Sequence, residues 1–169
     1  MLLLTTAPAN PLLDIITNTS IDLDKSDDQS DNRDRIQIER IGLEVPLYEG
    51  GEDSLDKGVW HRWPERGNPE KGGNFILSAH RFKIGVTPVQ TIINSPFYNV
   101  DKLRIGDTIR VFWDDEWYTY KISKTYTVLP NAIGIEAPSE EAKLTLYTCS
   151  LGGSADGRVV IEANLSDKI

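Results

Sequence analysis

The sequence predicts a small, mostly-β barrel or sandwich, on three observations. Apolar and polar residues alternate with period two in short runs, Gly and Asp turns punctuate the runs, and no segment sustains the 3.6-residue period of a long helix. Room exists for about eight short strands after residue 35.

The elements follow in chain order. Residues 35–39, Arg-Ile-Gln-Ile-Glu, alternate as a half-buried strand should. Residues 74–79, Asn-Phe-Ile-Leu-Ser-Ala, form an apolar run behind Gly72 and Gly73, the pattern of a strand entering a core. Gly106 and Asp107 introduce a strand over 108–113, and Asp114 and Asp115 turn the chain into a second over 117–122. The β-branched and aromatic residues of this pair face each other as in a hairpin. Residues 125–129, 143–148 and 158–165 supply three more strands. Helical signal is confined to short pieces near 54–57 and 89–94, and no internal repeat is visible.

Composition bounds the function. At 169 residues, with 39% hydrophobic and 26% charged residues, the chain suits one domain with a packed core and excludes wholesale disorder. The net charge of −8, without a basic block, argues against a nucleic-acid binder. One Cys and two His leave no intramolecular disulfide and no multi-thiolate metal site. No apolar run reaches the ~18 residues needed to cross a bilayer. Residues 1–34 hold seven aspartates against Lys25 and Arg33, and so carry five of the eight net negative charges. They are expected to be a flexible segment, either the remnant of a membrane tether or a lid, ahead of a catalytic domain over 35–169.

The residues able to do chemistry are few. Cys149 ends the 143–148 strand and opens onto Leu151-Gly152-Gly153, a position that can expose a thiol on a rigid scaffold. A thiolate is a strong nucleophile but needs a neighbouring cation or base near neutral pH. His80, closing the 74–79 strand, is the natural neighbour, whereas His61 lies between Trp60 and Trp63 in what reads as a long loop. Arg158 opens the strand after Cys149. An antiparallel return across the Gly-rich connection would bring it to the thiol, where a guanidinium can stabilise an oxyanion. Taken singly, each reads equally as a buried thiol, a structural histidine or a strand-edge arginine.

Together they resemble a known family. Thr145-Leu146-Tyr147-Thr148-Cys149 resembles the Thr-Leu-x-Thr-Cys signature of sortases, the cysteine transpeptidases of bacterial cell envelopes. Residues 72–81, ending Ser78-Ala79-His80-Arg81, are similar to the segment that carries the family's histidine, with Ala79 where Gly is usual. Phe97 to Leu103 with Gly106-Asp107, and Tyr118-Thr119-Tyr120, match further motifs in the same order. No Asp-Pro-aromatic lid motif of the pilus-building subclass occurs in the leading segment. Glu49, Glu52, Asp53 and Asp56 are similar to the calcium-responsive loop of some members. An exposed acidic loop is the simpler reading, because calcium needs several converging oxygens.

The resemblance implies a closed eight-stranded barrel with short helices in its loops and Cys149, His80 and Arg158 at one end of a groove. It implies a cysteine transpeptidase that cleaves a Leu-Pro-x-Thr-Gly-like sorting signal and passes it, through a thioester, to an amine of a peptidoglycan precursor or a pilin lysine. Ala79 and Thr148 beside the catalytic residues, with Leu129, Ile133 and Ile135 in the variable stretch 128–138, are the expected substrate contacts. No cofactor or metal is implied beyond that calcium response. The expected location is the extracytoplasmic face of the membrane, through a tether preceding this sequence. Two alternatives remain at this point: a sortase-shaped adaptor without activity, and an L,D-transpeptidase, whose His-Gly and Ser-x-Gly-Cys pattern is missing here.

Overall fold

The computed structural model describes residues 33–168. Among these residues nine strands run β1 (Arg35–Ile38), β2 (Leu43–Tyr48), β3 (Val59–Arg62), β4 (Gly67–Asn68), β5 (Gly72–Ser78), β6 (Thr108–Trp113), β7 (Glu116–Val128), β8 (Lys143–Ser150) and β9 (Gly153–Lys168). One short helix, α1 (Pro88–Ile93), lies between β5 and β6, with its Thr87 side chain capping the Gln90 amide. The sheet order is β3-β2-β1-β6-β7-β9-β8-β5-β4, and β3 also pairs with β5. That pairing closes eight strands into a barrel and leaves the two-residue β4 as a flap on β5. The β2–β3 and β5–β8 pairs are parallel, and the other neighbours are antiparallel. A barrel has no exposed sheet edge to manage.

Several expectations change in detail. The strands expected over 117–122 and 125–129 are one strand, β7, bent by a register shift between Ile122 and Lys124 against β9. Residues 43–48 and 59–62, left unassigned or read as loop, are β2 and β3, so His61 sits in a strand and is fully buried. The Asp114-Asp115 turn is a two-residue hairpin connection with both φ angles positive, 47° and 65°. Aspartate tolerates that left-handed backbone better than most residues, and the turn's twist suits paired strands. Of the leading segment expected over 1–34 as tether or lid, residues 1–32 lie outside the described residues.

Period two decides which side chains enter the barrel. Phe75 and Leu77 of β5, Leu144 and Leu146 of β8, and Ile161 and Ala163 of β9 join Ile36, Ile109, Val111, Tyr118 and Tyr120 in the barrel core. The alternate residues Ile76, Tyr147 and Val160 form a second, smaller cluster on the outer face of the β5–β8–β9 wall, covered in part by Ile135, Tyr126 and Val128. The site is built on that outer face.

Candidate active site

The register of β8 and β9 sets the site. Antiparallel pairing places Tyr147 opposite Val160 and Cys149 opposite Arg158. All four therefore belong to the outer face, one pair beyond the other along the strands. The approach of β9 is tight at this point: a Cβ on Gly157 would lie 2.9 Å from the Val128 carbonyl oxygen, so the residue before Arg158 has no space for a side chain. One Nη of Arg158 donates to the carbonyls of Ser154 (2.8 Å) and Gly157 (2.9 Å), which anchors the guanidinium on the first residues of its own strand. The end of β8 is braced to β9 where the Ser150 hydroxyl donates to Asp156 Oδ2.

His80 arrives from β5, the parallel neighbour of β8. Two residues past the end of that strand, its backbone is pinned from three sides. The Thr148 hydroxyl donates to the Ala79 carbonyl (2.7 Å), and the Phe97 amide donates to the His80 carbonyl (3.2 Å). The buried Arg81 side chain bonds the Tyr98 carbonyl (3.1 Å) and the Asp101 carboxylate (3.0 Å). The imidazole itself is 31% exposed, with Nε2 2.9 Å from Asp56 Oδ1. Lys83 donates to the same carboxylate oxygen. These bonds, from Lys83 first and His80 second, hold the Asp56 carboxyl below the usual carboxylate range.

His80, Cys149 and Arg158 line one groove of about 570 Å³. Its walls include Ser78, Phe82, Tyr147 and Leu151, together with Ile133 and Ile135 from the 3₁₀ segment Ile133–Glu136. That segment is fastened to the barrel through Glu136. The carboxylate accepts from the Tyr147 hydroxyl (2.5 Å) and the Trp63 indole (2.9 Å), and pairs with Arg62 (2.8 Å). Asn74 donates to the Ile135 and Ala137 carbonyls on either side. Burial, and then the bond to Glu136, push the Tyr147 phenol well above its ordinary range, so it remains a donor.

The expected substrate contacts divide. Ile133, Ile135 and Ala79 line the groove. Leu129 does not; its side chain is 69% exposed outside the groove lining. Thr148 is 1% exposed and points to the opposite side of β8 from Cys149, so it clamps the His80 backbone and does not face a substrate. The period-two pattern of β8 already contained that answer. Arg62, Glu136 and Asp56 were not among the expected site residues; each reaches the site by tertiary contact. Three of the four acids of the supposed calcium loop are engaged: Glu49 with His61, Asp53 with Lys57, and Asp56 with His80 and Lys83. Among the described residues no three His, Cys, Asp or Glu side chains converge as a metal site.

A family model described as the sortase domain matches residues 36–166. The chain belongs to the sortase family. Its curated relatives include the sortases SrtE1 and SrtE2 of Streptomyces coelicolor, 27% identical over 75% of this chain and 36% identical over 48% of it. The chain spans only 38% and 32% of their lengths. Among solved structures, a Clostridium perfringens sortase D5 transpeptidase aligns with a TM-score of 0.66 at 26% identity, covering 80% of this chain and 79% of that one. Sortase A from Corynebacterium diphtheriae aligns with a TM-score of 0.67 at 21% identity, over 80% and 60% of the two chains, a likeness of fold. The closed barrel of this sortase is thus the fold those structures share. Membership also sets aside the L,D-transpeptidase alternative. Sortases are cell-envelope transpeptidases; among the described residues no helix is long and apolar enough to cross a membrane.

Proposed function

We propose that this sortase is an active cysteine transpeptidase in which Cys149 is the nucleophile, His80 the acid and base, and Arg158 the oxyanion donor. One observation carries the reading: the register that pairs Cys149 with Arg158 puts both on the groove that His80 also lines. The substrate is a Leu-Pro-x-Thr-Gly-like sorting signal. Its extended chain would lie along the outer face of β8, its apolar end against Ile133 and Ile135.

The Cys149 thiolate adds to the Thr carbonyl carbon of the Thr–Gly bond, and the carbonyl electron pair moves to oxygen, next to the Arg158 N–H groups not used on Ser154 and Gly157. Collapse of this intermediate breaks the C–N bond, and protonated His80 gives its proton to the departing Gly amine. The thioester stands until a second amine attacks. His80, now neutral, takes the proton of that amine, and the thiolate leaves. A peptidoglycan-precursor amine or a pilin lysine is the proposed acceptor, at the outer face of the membrane, with the tether outside the described residues.

Incubating the protein with a sorting-signal peptide and a primary amine, and weighing the products, tests this. The reading requires a product in which the amine replaces Gly and its loss in Cys149→Ala. Absence of cleavage and ligation with the wild-type chain would favour an inactive, sortase-shaped adaptor.

A further inference from the structure

The outer nitrogen of the catalytic histidine is already occupied. Asp56, on the 3₁₀ turn Glu52–Asp56 between β2 and β3, accepts from His80 Nε2 at 2.9 Å across 24 residues of sequence. Among the described residues, Nδ1 has no hydrogen-bond partner. A ring fixed at one nitrogen can exchange its working proton only at the other. The other charged or titratable groups around the groove are directed elsewhere. Arg81 is turned to Asp101, Arg62 and Tyr147 to Glu136, and one Nη of Arg158 to its own strand. Glu52 lines the groove without a bond to the ring. Asp56 is therefore the carboxylate in contact with His80, and Lys83 shares its oxygen.

We propose that Asp56 is a positioning residue of the reaction: it fixes the His80 ring through Nε2, so that Nδ1 carries the transferable proton, while Lys83 weakens that hold by competing for the same oxygen. The inference rests on the transpeptidase reading above. Its physical content is charge and geometry together. A carboxylate bonded to one nitrogen fixes the ring's orientation and leaves the other nitrogen to face the departing amine. The Lys83 ammonium offsets part of that negative charge. The depressed carboxyl of Asp56 keeps the group ionised throughout the working range.

The test uses the full chain and five proteins: wild type, Asp56→Ala, Asp56→Glu, Lys83→Met and, for assignment, His80→Gln. kcat and KM, with sorting peptide and amine, are measured beside nitrogen-15 spectra of the imidazole rings, the His80 signals being those absent from His80→Gln. Asp56→Ala is expected to lose about 10- to 100-fold, the order seen when the carboxylate that orients a metal-bound histidine is removed. The loss should fall on kcat more than on KM, because the ring handles the proton of the reaction and does not bind the peptide. Asp56→Glu should restore much of the rate, and Lys83→Met should strengthen the Nε2 preference of the ring in the spectra. The wild-type spectrum should place the proton of the neutral ring on Nε2, and Asp56→Ala should redistribute it. Superimposable His80 spectra in wild type and Asp56→Ala would overturn the proposal. So would a rate loss not rescued by Glu. If the wild-type chain forms no product, the transpeptidase reading fails while the ring spectra still decide the role of Asp56.

Discussion

His61 on β3 and His80 beyond β5 belong to paired strands, yet the barrel gives them opposite surroundings. His61 lies across from Leu77 on the inner face, fully buried, with its ring edge-on to Phe75 and Trp113. Both its nitrogens are engaged, Nδ1 with Glu49 (2.8 Å) and Nε2 with the Gly67 carbonyl (3.1 Å). His80 lines a groove with one nitrogen held by Asp56 and, among the described residues, no partner at the other. The difference separates a histidine that can only brace from one that is free to handle a proton. A ring whose two nitrogens are both used can only brace, whereas a ring pinned at the backbone and at one nitrogen can exchange a proton at the other.

Substitution separates the two most sharply at His80. His80→Ala should lower kcat/KM by about two to four orders of magnitude, the range for a lost general acid and base. Its melting temperature should stay near wild type, because the ring is partly exposed and outside the core. Arg158→Ala should cost about two to three orders in kcat, as removal of an oxyanion donor does. His61→Ala should reverse the pattern. It leaves a cavity beside Phe75 and strips partners from Glu49 and the Gly67 carbonyl, so unfolding free energy should fall by roughly 2–4 kcal/mol. Activity per folded molecule should be largely retained. Denaturant melts with active-site titration would read both quantities on the same samples, and a His61 variant as inactive as the His80 variant would erase the contrast.

Smaller effects sharpen it within the outer face. Tyr147→Phe removes one hydrogen bond to Glu136 without changing shape, and should cost about 1 kcal/mol. Since that bond holds the Ile133–Glu136 wall, peptide KM should rise more than kcat falls. Further along the same face, the Tyr126 hydroxyl donates to Glu162 (2.8 Å) where β7 and β9 pair. Burial first, and then that bond, raise the Tyr126 phenol from 10.0 to about 12. A raised acid contributes stability that is fully present below its unfolded value and lost as pH rises through its folded one. Wild-type stability should therefore decline between about pH 10 and about pH 12, and Tyr126→Phe should flatten that decline in alkaline melts.

Much of this was legible in the residues, and the exceptions have physical causes. β5 and β8 announce themselves as apolar runs because both their faces are covered, by the core within and the small cluster without. The β6–β7 hairpin is marked by its Asp-Asp turn. β2 and β3 are not legible: Pro46 interrupts one, and the other is four residues long between Gly58 and Pro64. Their strand character comes from the parallel β2–β3 pairing and from closure on β5, which local pattern cannot encode. Cys149, His80 and Arg158 stood out through their motifs and strand-end positions. Asp56 and Glu136 did not, because each meets its partners only after the barrel closes. Thr148 was misread for a simpler reason, its place beside Cys149 in sequence putting it on the opposite face.

The central claim is that the groove works through a covalent bond at Cys149, and it is tested most directly by mapping that bond. Wild-type protein, mixed with sorting peptide without an acceptor amine, would be quenched in acid, digested and weighed; with one Cys in 169 residues the assignment is unambiguous. The account predicts the peptide's acyl mass on the fragment containing Cys149, discharged by hydroxylamine or the acceptor amine and missing from Cys149→Ala. Ligated product formed at a normal rate by Cys149→Ala, or an acyl mass mapped to any other residue, would contradict it.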